Sequence, residues 1–294
     1  MTYPGNPFLV GKRVKLDLVR PCVMGILNVT PDSFYDGGRY VCLEQALEQA
    51  RKMVAEGAAI IDVGGESSRP GAEAVTAEEE LERILPVVER LHAELPVPLS
   101  VDTWKSAVAR EALAAGVDFV NDVGGLWRDP AMVKVVAEEG AGLFIMHVRG
   151  TPQEMQQLAE YDDVVGEVRT FLENKMRLAL AAGIPQERIA LDPGIGFAKK
   201  TQDNLELLGH LREFRTLQAP LLLGVSRKSF FGTLLGRSRP EERLSGTLAA
   251  IALGVAAGVK IFRVHDVQAA RDAVETAWAI CRHGFAPENG GEAE

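Results

Sequence analysis

Cysteine is scarce in this chain of 294 residues: Cys22, Cys42 and Cys281 are the only three, at spacings that match no metal-ligand set. That excludes a disulfide framework and a Cys/His zinc site, and the thiols read as small core or surface residues of a reducing compartment. Positive charge is also short. The net charge of −9 argues against a general nucleic-acid or membrane-surface binder. It leaves room for a small anionic substrate held by local arginines and lysines. The longest apolar segment, Leu248 to Val259, is too short to span a bilayer and reads as a packed helix. The N-terminus has no basic stretch followed by an apolar region, so a secretory signal is not expected and the expected location is cytoplasmic. A P-loop is missing, and so is a G-x-G-x-x-G turn after an early strand, which weighs against a dinucleotide-binding sheet.

What is present is 47% hydrophobic residues, enough for a large core. They fall in repeated units. Runs rich in Val, Ile and Leu at 23–27, 60–63, 99–101, 118–120, 143–146, 189–191, 221–225 and 261–264 each predict a strand buried on both faces. Helical spacing fills the gaps between them. Leu43, Ala46, Leu47, Ala50, Met53 and Val54 share one face, as do Leu81, Ile84, Leu85, Val88 and Leu91. Val164, Val168, Phe171, Leu172 and Met176 mark another helix, and Val267, Ala270, Val274 and Trp278 the last. Thr76 with Glu79 predicts a capping box, and Asp129-Pro130 predicts an N-cap with proline at the first helical position.

Repeated β-α units with short connections imply a parallel sheet with right-handed crossovers. The fold class is therefore α/β, a single (β/α)8 barrel, which typically needs about 250 residues. An open doubly wound sheet is the competing architecture. Residues 1–19 form an extension in which Phe8 to Leu18, with Gly11-Lys12 between short apolar stretches, predicts a hairpin covering the barrel's bottom. Residues 20–284 make the barrel. Residues 285–294, rich in Glu and Gly, are expected to be a disordered tail.

Polar residues follow nearly every predicted strand on the same side. In order they are Asn28; Gly64 to Gly71; Asp102; Asn121-Asp122; Met146-His147; Asp192 to Phe197; Ser226-Arg227-Lys228-Ser229; and Arg263 with His265. In a barrel they converge on one rim, where ligands bind. Singly, each has a plain reading. Asp102 caps a helix, Asp62 bonds between strands, Asp192 forms a turn, and the histidines and arginines are core or surface residues. The joint pattern is harder to dismiss. Asp102, Asn121, Asp192 and Lys228 suit a flat heterocycle with adjacent N–H donors and a carbonyl. Arg69, Arg263 and His265 form a separate cationic group suited to phosphate oxygens. Asn28 and nearby hydroxyls suit a Mg²⁺ that keeps waters and substrate phosphates as its other ligands.

Two long stretches carry a resemblance: Gly25-Ile26-Leu27-Asn28-Val29-Thr30-Pro31-Asp32-Ser33-Phe34 and Asp62-Val63-Gly64-Gly65-Glu66-Ser67-Ser68-Arg69-Pro70-Gly71. With Ser100-Val101-Asp102-Thr103, Asn121-Asp122, Asp192-Pro193-Gly194-Ile195-Gly196-Phe197, Ser226-Arg227-Lys228-Ser229 and Arg263-Val264-His265, they make the chain similar to the dihydropteroate synthases. These are the folate-pathway enzymes inhibited by sulfonamides. One departure is Ser68, where the family usually has threonine; the hydroxyl survives.

The resemblance implies a TIM barrel that joins 4-aminobenzoate to (7,8-dihydropterin-6-yl)methyl diphosphate. It implies that Asp102, Asn121, Asp192 and Lys228 hold the pterin, with Met146 and Phe197 near its ring or the second substrate. By the same resemblance Asn28, Arg69, Arg263 and His265 would bind the diphosphate, with Mg²⁺ near Asn28, and Ser68 would contact substrate. Ser229, Pro70 and Phe34 would help form the aminobenzoate site. Asp32, Arg69, Asp102 and Lys228 are the implied catalytic set, and the implied assembly is a homodimer. A pterin-binding methyltransferase barrel would share the heterocycle site without a diphosphate cluster. A non-catalytic pterin carrier would be expected to lack Asp192, Lys228 or Arg69.

Overall fold

A computed structural model describes residues 7–30, 39–67, 71, 72 and 74–284, with the backbone alone for residues 39–42. The expected tail at 285–294 lies outside the described residues. The chain opens with an antiparallel hairpin, β1 (Phe8–Val10) and β2 (Lys15–Asp17), in which Phe8 faces Asp17. Eight parallel strands follow: β3 (Cys22–Asn28), β4 (Ile60–Gly64), β5 (Leu99–Asp102), β6 (Phe119–Asp122), β7 (Gly142–Met146), β8 (Ile189–Asp192), β9 (Leu222–Leu223) and β10 (Ile261–Val264). They alternate with α1 (Arg39–Ala55), α2 (Ala77–Glu94), α3 (Ser106–Ala115), α4 (Met132–Glu139), α5 (Val164–Ala181), α6 (Thr201–Gly209), α7 (Ser229–Leu235), α8 (Leu244–Ala257) and α9 (Val267–Arg282). Strands β3 to β8 pair in chain order, and β10 pairs with both β3 and β9. A parallel bridge between Leu191 and Leu221 closes the ring between β8 and β9. The barrel and the hairpin at its foot are those the sequence predicts.

The strand period of two gives the barrel two cores. Outward residues, among them Val23, Leu27, Ile61, Val63, Leu99, Val101, Leu143 and Leu191, pack under the helices. Inward residues near the strand starts, Met24, Ile60, Phe119, Phe144, Ala190, Leu222 and Ile261, form a second cluster with Leu9 and Leu18 of the hairpin. The hairpin thus plugs the barrel. Gly11 lies against the plug, where a Cβ would come within 2.9 Å of the Phe119 ring. Higher on the same inward faces stand Asp62, Ser100, Asn121 and Asp102, so one alternation changes from apolar to polar as the strands rise.

Two local expectations are corrected. Strand β9 has two residues rather than five, because the chain leaves the ladder at Gly224. Helix α4 starts at Met132, and Pro130 lies in the preceding turn. The Asp129 carboxylate is already engaged: it accepts from the N–H of Ala131 at 3.0 Å and from that of Ser106, the first residue of α3, at 2.8 Å. It caps its neighbour instead of its own helix. The Thr76–Glu79 capping box is present on α2, with both bonds at 3.1 Å. Among the described residues no helix is long and apolar enough to cross a membrane.

Leu9 is fully buried against the inner cluster. Leu9→Ala is expected to cost about 2–5 kcal/mol of stability, read by urea denaturation. The catalytic parameters should stay unchanged, because the plug lies at the end of the barrel away from the polar rim.

Candidate active site

The centre of the barrel is ionic. Asp62, fully buried on β4, accepts through Oδ2 from Arg263 Nε at 2.6 Å and from Asn121 Nδ2 at 3.0 Å. Arg263 also donates through Nη2 to Asp102 Oδ2. One guanidinium therefore ties β10 to β4 and β5, and Asn121 adds β6. Asp62 Oδ1 and Ser100 Oγ are buried with no protein partner among the described residues. Such atoms cost about 1–3 kcal/mol each unless a polar ligand or solvent satisfies them. Burial lifts Asp102 to about 7 against the pull of Arg263. Burial also opposes the Arg263 charge, but Asp102 and Asp62 outweigh it and hold its pKa above the ordinary value.

The second half of the rim comes from the loops after β8 and β9. Burial raises the Asp192 pKa, while the Gly194 N–H, which donates to its Oδ1 at 2.7 Å, and the charges of Lys228, Lys199 and Arg263 lower it. Lys228 lies over the Phe197 ring, its ammonium 4.0 Å from the centroid. It passes Gly196 closely: at φ 84° that residue has no Cβ, and one would stand 2.9 Å from Lys228 Cδ. Burial brings Lys228 down to about 8, with Asp192 opposing. Asp102 and Lys228 thus both titrate near neutrality. Met146 is buried in register with Asp192 on the neighbouring strand. Ser229 is exposed and opens α7.

Beside this group lies a cavity of about 780 Å³, lined by Asn28, Gln45, Glu48, Gln49, Lys52, Arg227 and His265, among others. The Ser226 hydroxyl fixes His265, accepting from its N–H at 3.2 Å and standing 3.0 Å from Nδ1. Arg227, at φ 56°, donates to Asp266 through Nε at 2.8 Å and Nη2 at 2.5 Å. Among the described residues no cluster of His, Cys, Asp and Glu could hold a metal by itself. The donor set fits an ion bridged by a ligand: one amide oxygen, from Asn28, at the edge of a polar cavity, with the remaining positions open to phosphate and water oxygens.

The structure gathers Asp102, Asn121, Asp192, Met146, Phe197, Lys228 and Arg263 at the carboxyl ends of the strands, with Asn28 and His265 alongside. Asp32, Phe34, Ser68, Arg69 and Pro70 lie outside the described residues. The two groups sorted in the sequence are not separate, since Arg263 stands among the carboxylates. Asp62, which reads as an interstrand bond in the sequence, is the hub of the cluster; its spacing with Ile60 and Gly64 puts it on the inward face. Asp122, one residue past Asn121, caps its own loop through the N–H groups of Gly124 and Leu126. Three further ion pairs have no sequence signal, Lys105 with Glu66 at 2.6 Å, Lys105 with Glu80 at 2.5 Å and Arg227 with Asp266, nor has the hydrogen bond between Lys199 and His147.

A barrel that presents paired carboxylates, an amide and two cations at its mouth, beside an open cavity edged by Asn28 and His265, defines a class of heterocycle-binding enzyme. The chain belongs to the family described as pterin binding enzymes, which matches residues 24–265. Its relatives include dihydropteroate synthases. That of Synechocystis sp. is 49% identical over 90% of this chain and 91% of its own length. The Xanthomonas albilineans dihydropteroate synthase solved with 4-aminobenzoic acid superposes with a TM-score of 0.88 at 45% identity, over 94% of this chain and 98% of that one. The same enzyme in complex with 7,8-dihydropteroate gives a TM-score of 0.85 at 44% identity, over 94% and 99%.

Removing the central guanidinium should expose the cost of the cluster. Arg263→Met leaves Asp62 and Asp102 buried without their cation, and the expected loss is about 3–5 kcal/mol in a guanidinium chloride denaturation curve.

Proposed function

We infer that the chain is a transferase of folate biosynthesis that condenses 4-aminobenzoate with (7,8-dihydropterin-6-yl)methyl diphosphate, giving 7,8-dihydropteroate and diphosphate. The observation that carries this reading is the meeting of Asp102, Asn121, Asp192 and Lys228 in one barrel mouth beside the Asn28–His265 cavity. Asp102, Asn121 and Asp192 offer acceptors and an amide to the ring's N–H edge, and Lys228 donates to its carbonyl. Met146 and Phe197 pack near the ring. Asn28, Ser68, Arg69, Arg263 and His265 take the diphosphate, with Arg263 spanning ring and phosphate subsites. Phe34, Pro70 and Ser229 hold the aminobenzoate, and sulfonamides, arylamines of similar shape, compete there.

In the reaction the methylene carbon–oxygen bond breaks and its electron pair leaves with the diphosphate. The electron-rich dihydropterin carries the resulting charge, which Asp102 and Asp192 favour electrostatically. The arylamine nitrogen is unprotonated at neutral pH, so its lone pair forms the new carbon–nitrogen bond without a prior base. The nitrogen then loses one proton, for which Asp32 is the assigned acceptor. This explains a rim rich in binding groups and without a nucleophile–base triad. Asn28 would hold a Mg²⁺, which would supply positive charge to offset that of the diphosphate. The assembly proposed is a homodimer; exposed Leu253 on α8 and Ile280 on α9, two helices packed together, offer an apolar face. The proposed compartment is the cytoplasm, in keeping with free Cys22 and Cys281.

Mixing the protein with Mg²⁺ and both substrates is expected to yield dihydropteroate, detected by chromatography; a folded protein that forms none would defeat the reading. Asp192→Ala should lower kcat/KM by roughly ten- to several-hundred-fold, since ring donors lose a buried acceptor worth about 1–3 kcal/mol or more.

The pH dependence follows from Asp102. Ionised, it offers acceptors only, whereas protonation turns one oxygen into an O–H donor and removes the charge; its pKa stands at about 7. Pterin affinity is therefore expected to fall as pH drops through that value and Asp102 takes up a proton. Asp102→Asn, measured by titration calorimetry, should bind weakly and lose this acid limb.

A further inference from the structure

Lys199 is buried, and its ammonium has three acceptors at hydrogen-bond distance: His147 Nδ1 at 2.9 Å, Gly194 O at 3.0 Å and Phe197 O at 3.0 Å. Three acceptors saturate an ammonium. Two of them belong to the loop that leaves β8 at Asp192, and the third is a ring at the end of β7. The loop is an unusual path. Gly194, Gly196 and Ala198 all adopt left-handed φ, at 68°, 84° and 49°. A Cβ on Gly194 would collide with the His147 carbonyl. For Ala198 that backbone is unfavourable, so it needs external support.

That support converges on Lys199. Its cation draws two loop carbonyls inward, and Tyr161 Oη donates to the Ala198 carbonyl at 3.0 Å. The Gly196 N–H donates to Asn204 Oδ1 at 2.6 Å. The His147 ring is held edge-on by Phe171, centroids 4.8 Å apart, and its backbone N–H donates to the Asp192 carbonyl at 2.9 Å. Burial holds the His147 pKa well below its ordinary value, so the neutral ring can accept a hydrogen bond from the ammonium at Nδ1. Burial likewise brings Lys199 to about 7, while Asp192 works to keep it charged.

We propose that Lys199 is a positioning residue for pterin binding: by gathering Gly194 O, Phe197 O and His147 Nδ1 about one buried ammonium, it fixes the loop from Pro193 to Ala198, and with it Asp192 and Phe197, before the ring arrives. The assignment rests on the proposed function. Lys199 itself touches no substrate. It acts on the ring side of the rim and leaves the Asn28–His265 side alone.

The test compares Lys199→Met with the wild-type protein by titration calorimetry, using a dihydropterin without phosphates and, separately, inorganic diphosphate with Mg²⁺. A loosened loop is expected to weaken the pterin by about 10- to 100-fold. KM for the pterin diphosphate should rise by a similar factor with kcat within about threefold of wild type, the mark of lost uniform binding. Diphosphate affinity should not change. A folded Lys199→Met protein with wild-type pterin affinity, or one equally weakened toward both ligands, overturns the assignment. Hydrogen exchange on the ligand-free wild type serves if the variant does not fold. The Gly194, Gly196 and Phe197 amides should be protected before pterin is added, and protection gained only on its addition overturns the assignment. A wild-type protein that binds no pterin overturns the proposed function as well.

Discussion

The structure depends on one constraint: charged groups inside a closed barrel must neutralise one another. Arg263 meets it by binding Asp62 and Asp102 together, while Asn121 completes Asp62. Isolated, each of these charges would be prohibitively expensive to bury. Together they form a rigid polar floor above the apolar plug of Met24, Phe119, Phe144 and the hairpin leucines. The floor remains incompletely satisfied at Asp62 Oδ1 and Ser100 Oγ, which makes it receptive to a ligand with donors of its own.

Around that floor, the loops are stapled by cations of their own, two of them buried. Lys105 joins Glu66, at the root of the loop after β4, to Glu80 on α2, and Trp104 Nε1 donates to the same Glu66 at 2.9 Å. Arg227, held by Asp266, fixes the turn after β9 in a left-handed conformation, its N–H donating to Thr247 Oγ1 at 3.0 Å. Lys199 does the equivalent work after β8. Each staple uses a long basic side chain to reach across to a neighbouring element, so the rim is preorganised although it is made of loops. Preorganised dipoles and charges are what a reaction passing through a cationic ring requires.

The rim also divides its labour. The carboxylates and Lys228 stand together at the barrel mouth, whereas Asn28, Arg227 and His265 line the cavity alongside. Arg263 belongs electrostatically to the first group and sits on the strand next to β3, which carries Asn28. In the proposed reaction it is the residue that links the groups assigned to the ring with those assigned to the diphosphate.

Much of this was legible in the residues. Eight short continuous apolar runs, separated by segments with helical period, predict strands buried on both faces and a barrel to close them. The polar residue after each run is determined by the same grammar, which is why Asn28, Asp102, Asn121, Asp192 and Lys228 stood out one by one. Parity along a strand was there to be read for Asp62 as well, since it shares the inward face with Ile60 and Gly64. What no local pattern contains is pairing across the barrel. Arg263 and Asp62 are 201 residues apart in the chain. Lys199 and His147 meet only because β7 and β8 are neighbours, and Asp129 caps α3 rather than α4 because α3 packs beside it. The sequence alone determined which faces are apolar and where the polar ends lie, because those follow from backbone periodicity. Only the tertiary structure decided which charge neutralises which, because that choice rests on distances set when the barrel closes.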